Sequence, residues 1–151
     1  MFVICDQQAS DLASAADLRF ELVFVGHSFL DPASVFGHLL LRAQRQTNEK
    51  PSLPVAITFL GQTSEFGFFD RLWHGVTGAM KGQFLLLPFH VQQRLYAQFE
   101  SRDLFAFELL LSRQEKRRLG LLIGALKGQN LPYDFFHQNC AFRILQLIQE
   151  A

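Results

Sequence analysis

The segment "DFFHQNCAFRILQLI" (134–148) holds the strongest local signal in the chain. Asn139 is a good helix N-cap, because its short side chain can accept a hydrogen bond from the backbone of the first turn. The apolar residues that follow recur at helical spacing, among them Phe142, Leu145 and Ile148. The segment therefore predicts a final helix that begins at Cys140.

Cys140 would be the first residue of that helix. A thiol in this position lies beside unpaired backbone N–H groups and at the positive end of the helix dipole. Both stabilise a thiolate, so they predict a lowered thiol pKa and a nucleophilic sulfur. The same N–H groups could bind an oxyanion after attack. The alternative is a small buried hydrophobic residue, since free cysteine is among the most buried residue types.

Composition bounds the class of protein. The chain has 151 residues, 49% of them hydrophobic, with 17 Phe, which is enough for one domain with a single core. We expect this domain to span residues 1–151, with residues 1–17 as a flexible lead-in. Fourteen basic and fourteen acidic side chains cancel. The chain therefore lacks the excess of positive charge that would predict binding to nucleic acid or to an anionic membrane surface.

Membrane, export and metal signals are weak. No apolar run approaches the roughly 18 residues that span a bilayer. The start "MFVICDQQAS" lacks a basic region, so it is not a secretory signal as it stands, although a fragment with a signal upstream would look the same. The two cysteines, Cys5 and Cys140, have no metal-ligand spacing and are expected to be free thiols. We predict no metal and no cofactor.

The order of the other elements favours an α+β domain. Ser112 and Glu115 form a capping box that predicts a helix over 112–127, and Gly128 would stop it. Residues 34–44 could be a strand or a short helix. The glycine-rich segment 62–83 is expected to be a functional loop and not a long regular element. The remaining segments are strands at 18–29, 55–61, 84–89 and 103–111 and a helix at 90–101.

A thiol nucleophile needs a base, and five histidines are available. His38 differs from the others because it is embedded in the apolar run "VFGHLLLR" (35–42), where a polar ring needs a partner. A satisfied core histidine and a catalytic histidine fit this pattern equally well. The others lie at loop or junction positions: His27, His74, His90 and His137.

Three ordered stretches cover about residues 20 to 150: "LVFVGHSFLDPASVFGHLLLR", "ESRDLFAFELLLSRQE" and "YDFFHQNCAFRILQLI". Together they resemble a bacterial envelope family, the lipoprotein N-acyltransferases related to permuted NlpC-type enzymes. Three positions depart from the usual pattern of that family. Ala141 replaces a serine, and Phe105 and Phe107 replace the more usual Trp and Tyr.

The resemblance implies a circularly permuted papain-like domain, with an antiparallel sheet packed against helices and the cysteine at the start of the last helix. It implies Cys140 as the nucleophile and His38 as the base. The implied reaction moves a fatty acyl chain from a lipid ester of a bacterial lipoprotein to the N-terminal amine of that lipoprotein. The domain would work in the cell envelope or periplasm, close to a membrane through its substrate.

Four further residues of these stretches are candidates for contact with substrate or an oxyanion: Asn139, Tyr133, Arg42 and Ser34. Arg42 could bind a phosphate or carboxylate, but an internal ion pair with an acid such as Asp103 is slightly favoured. Tyr133 could donate to an oxyanion or simply pack. The motif does not identify the group that orients His38, and Gln62 and Thr58 are guesses.

Two rival functions stay open. A cysteine peptidase or amidase of the cell envelope would use the same pair, because a cysteine–histidine pair also hydrolyses amides. A non-catalytic binding domain would keep the fold without the chemistry. Product analysis separates the first rival from a transferase, and thiol reactivity separates the second.

Overall fold

The structure is a computed structural model, and it describes residues 15–28, 37–45, 53–62 and 68–151. Cys5, Ser34 and the part of the expected flexible lead-in before residue 15 lie outside these residues. The predictions made for them are therefore not addressed by the fold.

The described strands form one antiparallel sheet in the order β5-β1-β2-β3-β4-β6. This arrangement confirms the predicted α+β class with an antiparallel sheet packed against helices. The strands are β1 (Leu18–Val25), β2 (His38–Arg45), β3 (Val55–Gly61), β4 (Met80–Pro88), β5 (Leu104–Glu108) and β6 (Leu131–Tyr133).

Helices cover both faces of the sheet. No described helix is long and apolar enough to span a bilayer. A 3-10 turn at Ala15–Asp17 precedes β1. The helices are α1 (Phe68–Thr77), α2 (Phe89–Gln93), which continues as a π-helical segment (Arg94–Phe99), α3 (Arg113–Leu126) and α4 (Cys140–Gln149).

The sheet separates two apolar cores, because alternate residues of a strand point to opposite faces. On one face, side chains such as Leu41 and Phe59 pack with Ile123 of α3 and Ile144 of α4. On the other face, the alternate strand residues pack with the segment formed by α2 and its π-helical continuation. This second core contains Val23, Val25, Leu40, Ala56, Phe89 and Tyr96.

A tight approach before β2 fixes the position of His38. Gly37 has φ +80, and a Cβ there would lie 2.9 Å from both the Phe24 ring and the Val25 carbonyl. Only glycine adopts this backbone without strain. β2 therefore begins at His38, directly opposite Val25 of β1.

Several predicted elements are confirmed. Residues 18–25 and 55–61 are strands, and the ambiguous segment 34–44 contributes strand β2. Ser112 Oγ accepts from Glu115 N at 3.3 Å, and Ser112 N donates to Glu115 Oε2 at 2.6 Å, which completes the capping box. The chain leaves α3 through Gly128, whose φ is +73.

The expectation of a loop throughout 62–83 was wrong. The segment contains the ten-residue helix α1 and the start of β4. Its glycines serve packing and termination. A Cβ at Gly75 would lie 2.3 Å from the Phe135 ring, and Gly78 follows the helix at φ +74. Strand β6 was not predicted, because it is only three residues long and contains Pro132.

Candidate functional site

A cavity of about 240 Å³ lies where β2 and α4 begin. It brings together His38 and Cys140, which are far apart in the sequence. Most of the wall is apolar or aromatic. The lining residues are Phe24, Gly37, His38, Leu39, Tyr133, Phe135, Asn139, Cys140 and Ala141.

Cys140 is the first residue of α4, as predicted, and it is a free, buried cysteine. Asn139 is the N-cap: its Oδ1 accepts from Phe142 N at 3.0 Å. The Nδ2 group of Asn139 donates to Phe135 O at 3.0 Å. A carboxamide has two N–H donors, and the contact with Phe135 O uses one of them. The main role of Asn139 in this structure is to hold the start of α4.

The turn before α4 is held by Asp134. Its Oδ1 accepts from Phe136 N at 2.9 Å and from His137 N at 2.5 Å, and its Oδ2 accepts from Gln138 N at 3.1 Å. Burial alone would raise the pKa of Asp134, but these backbone donors outweigh it and lower the pKa. His137 is 86% exposed beside this carboxylate, so it lies at the surface and not in the cavity.

The prediction of a lowered thiol pKa is wrong for the free protein. Burial raises the pKa of Cys140 above its usual value. Backbone N–H groups of Leu39, Ala141 and Cys140 lower it, as expected at a helix start, and the charge of Arg102 lowers it as well. Desolvation is the largest effect, so the resting thiol is protonated at neutral pH. A base must then remove its proton during any reaction.

His38 is oriented by Thr58, one of the two residues guessed for this role. The distance from His38 Nε2 to Thr58 Oγ1 is 2.6 Å, and Thr58 is fully buried on β3. Gln62, the other guess, donates instead to Asn130 Oδ1 at 3.1 Å. Nδ1 is the other ring nitrogen, and it can accept a proton when Nε2–H is the donor to Thr58 Oγ1.

The ring of His38 is neutral at physiological pH. Burial first, and the positive charge of Arg102 second, lower the pKa of His38 to about 4. A neutral imidazole can accept a proton, whereas an imidazolium cannot. The cavity therefore combines a protonated thiol with an unprotonated base.

Arg102 is a residue that sequence reasoning missed. It is 5% exposed, and its Nε donates to Gly26 O at 2.6 Å. Its Nη1 donates to Glu100 Oε2 at 2.8 Å. The buried cation influences the pKa of both His38 and Cys140. Arg102 lies in the stretch "ESRDLFAFELLLSRQE" of the resemblance, where the sequence pattern assigned roles to Asp103, Ser112 and Glu115 but not to Arg102.

Tyr96 is a second unpredicted neighbour. Its ring centroid lies 6.0 Å from that of His38, and the Arg102 guanidinium stacks 5.1 Å from its centroid. Burial is the main cause that raises the pKa of Tyr96 to about 12; the charge of Arg102 opposes this rise, and the charges of Glu100 and Cys140 add to it. Tyr96 lies in the π-helical segment, and such segments are often found at functional sites. A regular α-helix was predicted at 90–101, and that prediction did not place Tyr96 near His38.

Arg42 does not line the cavity, which argues against a contact with a substrate there. Its guanidinium forms an ion pair with Glu21, which is 7% exposed. The partner is therefore Glu21 and not Asp103. Tyr133 does line the cavity, and its ring packs edge-on against Phe135 with centroids 6.1 Å apart.

Metal binding finds no support in the part of the chain that the structure describes. No group of three His, Cys, Asp or Glu side chains there could hold a metal ion. No residues are therefore assigned to a metal.

Comparison with known proteins identifies the family. The family model described as the Lnb N-terminal periplasmic domain matches residues 7–151, nearly the whole chain. No curated protein and no solved structure matches the chain. The family description confirms the location expected from the resemblance, the periplasm of the bacterial envelope. The chain belongs to the family of the Lnb N-terminal periplasmic domain.

Proposed function

We propose that this domain is a cysteine acyltransferase that moves a fatty acyl chain from a lipid ester of a bacterial lipoprotein to the N-terminal amine of that lipoprotein. One observation carries the proposal: Cys140 at the start of α4 and the Thr58-bound His38 line the same cavity. The order of the two residues, histidine before cysteine, also suits a permuted papain-like domain. The periplasmic location of the family suits a lipoprotein substrate.

In the first half-reaction, His38 takes the proton of Cys140 as the sulfur attacks the ester carbonyl. The carbon–sulfur bond forms, and the backbone N–H groups at the start of α4 stabilise the negative charge on the carbonyl oxygen. The bond from carbonyl carbon to ester oxygen then breaks. His38 returns its proton to the leaving alkoxide, and an acyl-Cys140 thioester remains.

In the second half-reaction, the N-terminal amine attacks the thioester carbonyl. His38 takes a proton from the amine nitrogen as the new carbon–nitrogen bond forms, and the departing sulfur is reprotonated. The products are an amide and a free thiol. The base is regenerated in the neutral state in which the cycle began.

The pKa shifts of the resting site suit this cycle. A raised pKa for Cys140 and a lowered pKa for His38 favour the neutral pair over a thiolate–imidazolium ion pair. Proton transfer is then coupled to attack on the substrate. The N–H donors near the sulfur act on charge that develops during the reaction.

A binding domain without catalysis is the second candidate. The observation that favours it is the burial of Cys140, which is 8% exposed and has a raised pKa. A cysteine peptidase or amidase fits less well. The cavity wall contains Phe24, Leu39 and Phe135, and such a wall suits an acyl chain better than a polar peptide.

Product analysis tests the proposal. The domain is incubated with a synthetic diacylglyceryl lipopeptide that has a free N-terminal amine, and products are fragmented in a mass spectrometer. A transferase gives a product of unchanged mass with one acyl chain on the N-terminus, whereas a hydrolase releases fatty acid or cleaved peptide. Cys140→Ala should abolish transfer, and the exposed His137→Ala should retain it. Turnover by Cys140→Ala at the wild-type rate would exclude the proposal.

A further inference from the structure

A second, larger cavity of about 710 Å³ lies between strands β3 and β4 and the segment formed by α2 and its π-helical continuation. It shares no lining residue with the Cys140 cavity. Its volume falls within the range of roughly 300 to 1,000 Å³ that is usual for small-molecule sites. Nothing in the proposed acyl transfer uses it.

The wall of this second cavity is apolar. Leu60, Leu85 and Leu87 line it from the strands, and Leu95 and Phe99 line it from the π-helical segment. Leu95 is 43% exposed and Phe99 is 78% exposed. An open wall of large apolar side chains favours a ligand that covers it with hydrocarbon.

Gln92 contributes a polar group to this apolar wall. The residue is 6% exposed, and its Oε1 is buried with no hydrogen-bond partner among the described residues. An unpaired buried acceptor destabilises the folded protein. A ligand with a hydroxyl or amide donor would satisfy it, so the position of Gln92 indicates a ligand that is not purely hydrocarbon.

The remaining polar lining residues carry positive or titratable nitrogen. His90 and Arg94 are exposed on the same segment. Within the described chain, neither forms an ion pair with an acid. A guanidinium is charged at every physiological pH and binds phosphate or carboxylate oxygens well. The polar side of the cavity is therefore complementary to an anionic head group.

We propose that this second cavity binds a single-chain phospholipid with an anionic head group and a free hydroxyl. The acyl chain would lie against Leu85, Leu87 and Leu95. The hydroxyl would donate to Gln92 Oε1, and the phosphate would pair with Arg94. Each part of the ligand then meets a group of matching chemistry, on strand β4 or on the segment formed by α2 and its π-helical continuation.

Calorimetric titration with lysophosphatidylglycerol below its critical micelle concentration tests the proposal. We expect saturable binding of one molecule per chain, about 3- to 10-fold weaker for Arg94→Gln and unchanged for Arg113→Gln. Leu95→Trp fills the cavity and should weaken binding more than about 10-fold. Leu121→Trp, on the exposed side of α3, is the matched control.

Gln92→Leu separates binding from folding. The variant should bind lysophosphatidylglycerol about 3- to 10-fold more weakly, because the hydroxyl loses its acceptor. Without lipid it should melt at a higher temperature than wild type, because the unpaired buried oxygen is gone. A purely structural Gln92 would instead lower the melting temperature on substitution and leave the affinity unchanged.

Other outcomes would overturn the proposal. If Leu95→Trp bound the lipid as tightly as wild type does, the lipid would not occupy this cavity. Loss of binding in Cys140→Ala would have the same meaning. Binding only to two-chain phosphatidylglycerol vesicles would assign the surface to a membrane. Concentration-dependent dimers in the ultracentrifuge that Leu95→Trp abolishes would assign it to a second copy of the chain. If an inactive Cys140→Ala protein still binds the lipid, lipid binding at this site does not depend on the proposed acyl transfer.

Discussion

The ring of His38 has a hydrogen-bonding neighbour in Thr58. Thr58 Oγ1 lies 2.6 Å from Nε2 in a fully buried position, so the contact is protected from competition with water. A buried hydrogen bond of this kind restrains the ring plane, and it leaves Nδ1 able to accept a proton when Nε2–H donates to the hydroxyl. In the proposed reaction, the position of the His38 ring therefore depends on Thr58.

Thr58→Val removes the hydroxyl and keeps the shape of the side chain. We expect kcat/KM for acyl transfer to fall about 10- to 100-fold, because the ring loses its orienting partner. Thr58→Ser restores a hydroxyl and should recover much of the activity. The measurement is steady-state kinetics with a lipopeptide substrate, alongside circular dichroism of both variants. Equal activity in Thr58→Val would show that the contact only satisfies a buried ring.

The lowered pKa of His38 also predicts a pH dependence of folding. The unfolded chain binds a proton near pH 6.5, whereas the folded chain binds it only near pH 4. This contribution to stability is fully present above pH 6.5 and is lost as the pH falls toward 4, by at most about 3 kcal/mol. Urea unfolding at pH 7.5 and 5 measures it. His38→Gln should lose less stability than wild type over this interval, and an equal loss would contradict the assignment.

At the scale of elements, α4 and its N-cap connect local sequence to the site. Asn139→Ala removes the bond to Phe142 N and should lower the free energy of unfolding by about 0.5–2 kcal/mol. It should also reduce acyl transfer, because Cys140 and its N–H neighbours lose their fixed positions. The measurements are urea unfolding and transfer rate.

A second cap provides the control for this prediction. Ser112 caps α3, which does not line the cavity. Ser112→Ala should cost a similar free energy of unfolding and leave the rate of acyl transfer unchanged. A parallel loss of activity in both variants would mean that activity follows global stability and not the start of α4.

Elements with a local cause could be predicted from sequence. The cap at Asn139 and the capping box at Ser112 each involve residues three apart in the chain, so their hydrogen bonds are visible in the pattern. Helix α1 could not be predicted in this way. Gly75 allows the helix to pack closely against the Phe135 ring, and Phe135 is too far along the chain for a local pattern to show this contact. Arg102 and the sign of the Cys140 pKa shift were missed for the same reason. The burial that raises the pKa of Cys140 depends on how the whole molecule packs, and the sequence at the start of a helix does not show it.

At the scale of the whole molecule, α1 packs against the turn that leads into α4. A Cβ at Gly75 would lie 2.3 Å from the Phe135 ring, and Phe135 lines the Cys140 cavity. Gly75→Ala should therefore lower the free energy of unfolding by about 1–3 kcal/mol. The double variant with Phe135→Leu should recover part of that loss, since the two positions are in contact.

Gly124 provides the comparison for this substitution. It lies in α3, and apart from its chain neighbours and the backbone of its own helix no described atom lies within 4 Å of an added Cβ. Gly124→Ala should therefore raise the free energy of unfolding by about 0.5–1 kcal/mol through helix propensity. Chemical denaturation of the four proteins measures both effects. Equal stability of Gly75→Ala and Gly124→Ala would contradict the close packing of α1 on Phe135.

The central claim is that Cys140 carries the acyl group, and a trapped intermediate tests it most directly. A diacylglyceryl lipopeptide with a blocked N-terminal amine permits the first half-reaction and removes the acceptor for the second. Intact-protein and peptide mass spectrometry then determine whether an acyl group is attached and where. We predict one acyl group on the peptide that contains Cys140, released by hydroxylamine as expected for a thioester, strongly reduced in His38→Ala and absent in Cys140→Ala. Transfer to a free-amine lipopeptide by a Cys140→Ala protein, or turnover by wild type with no acyl group ever found on Cys140, would contradict the account.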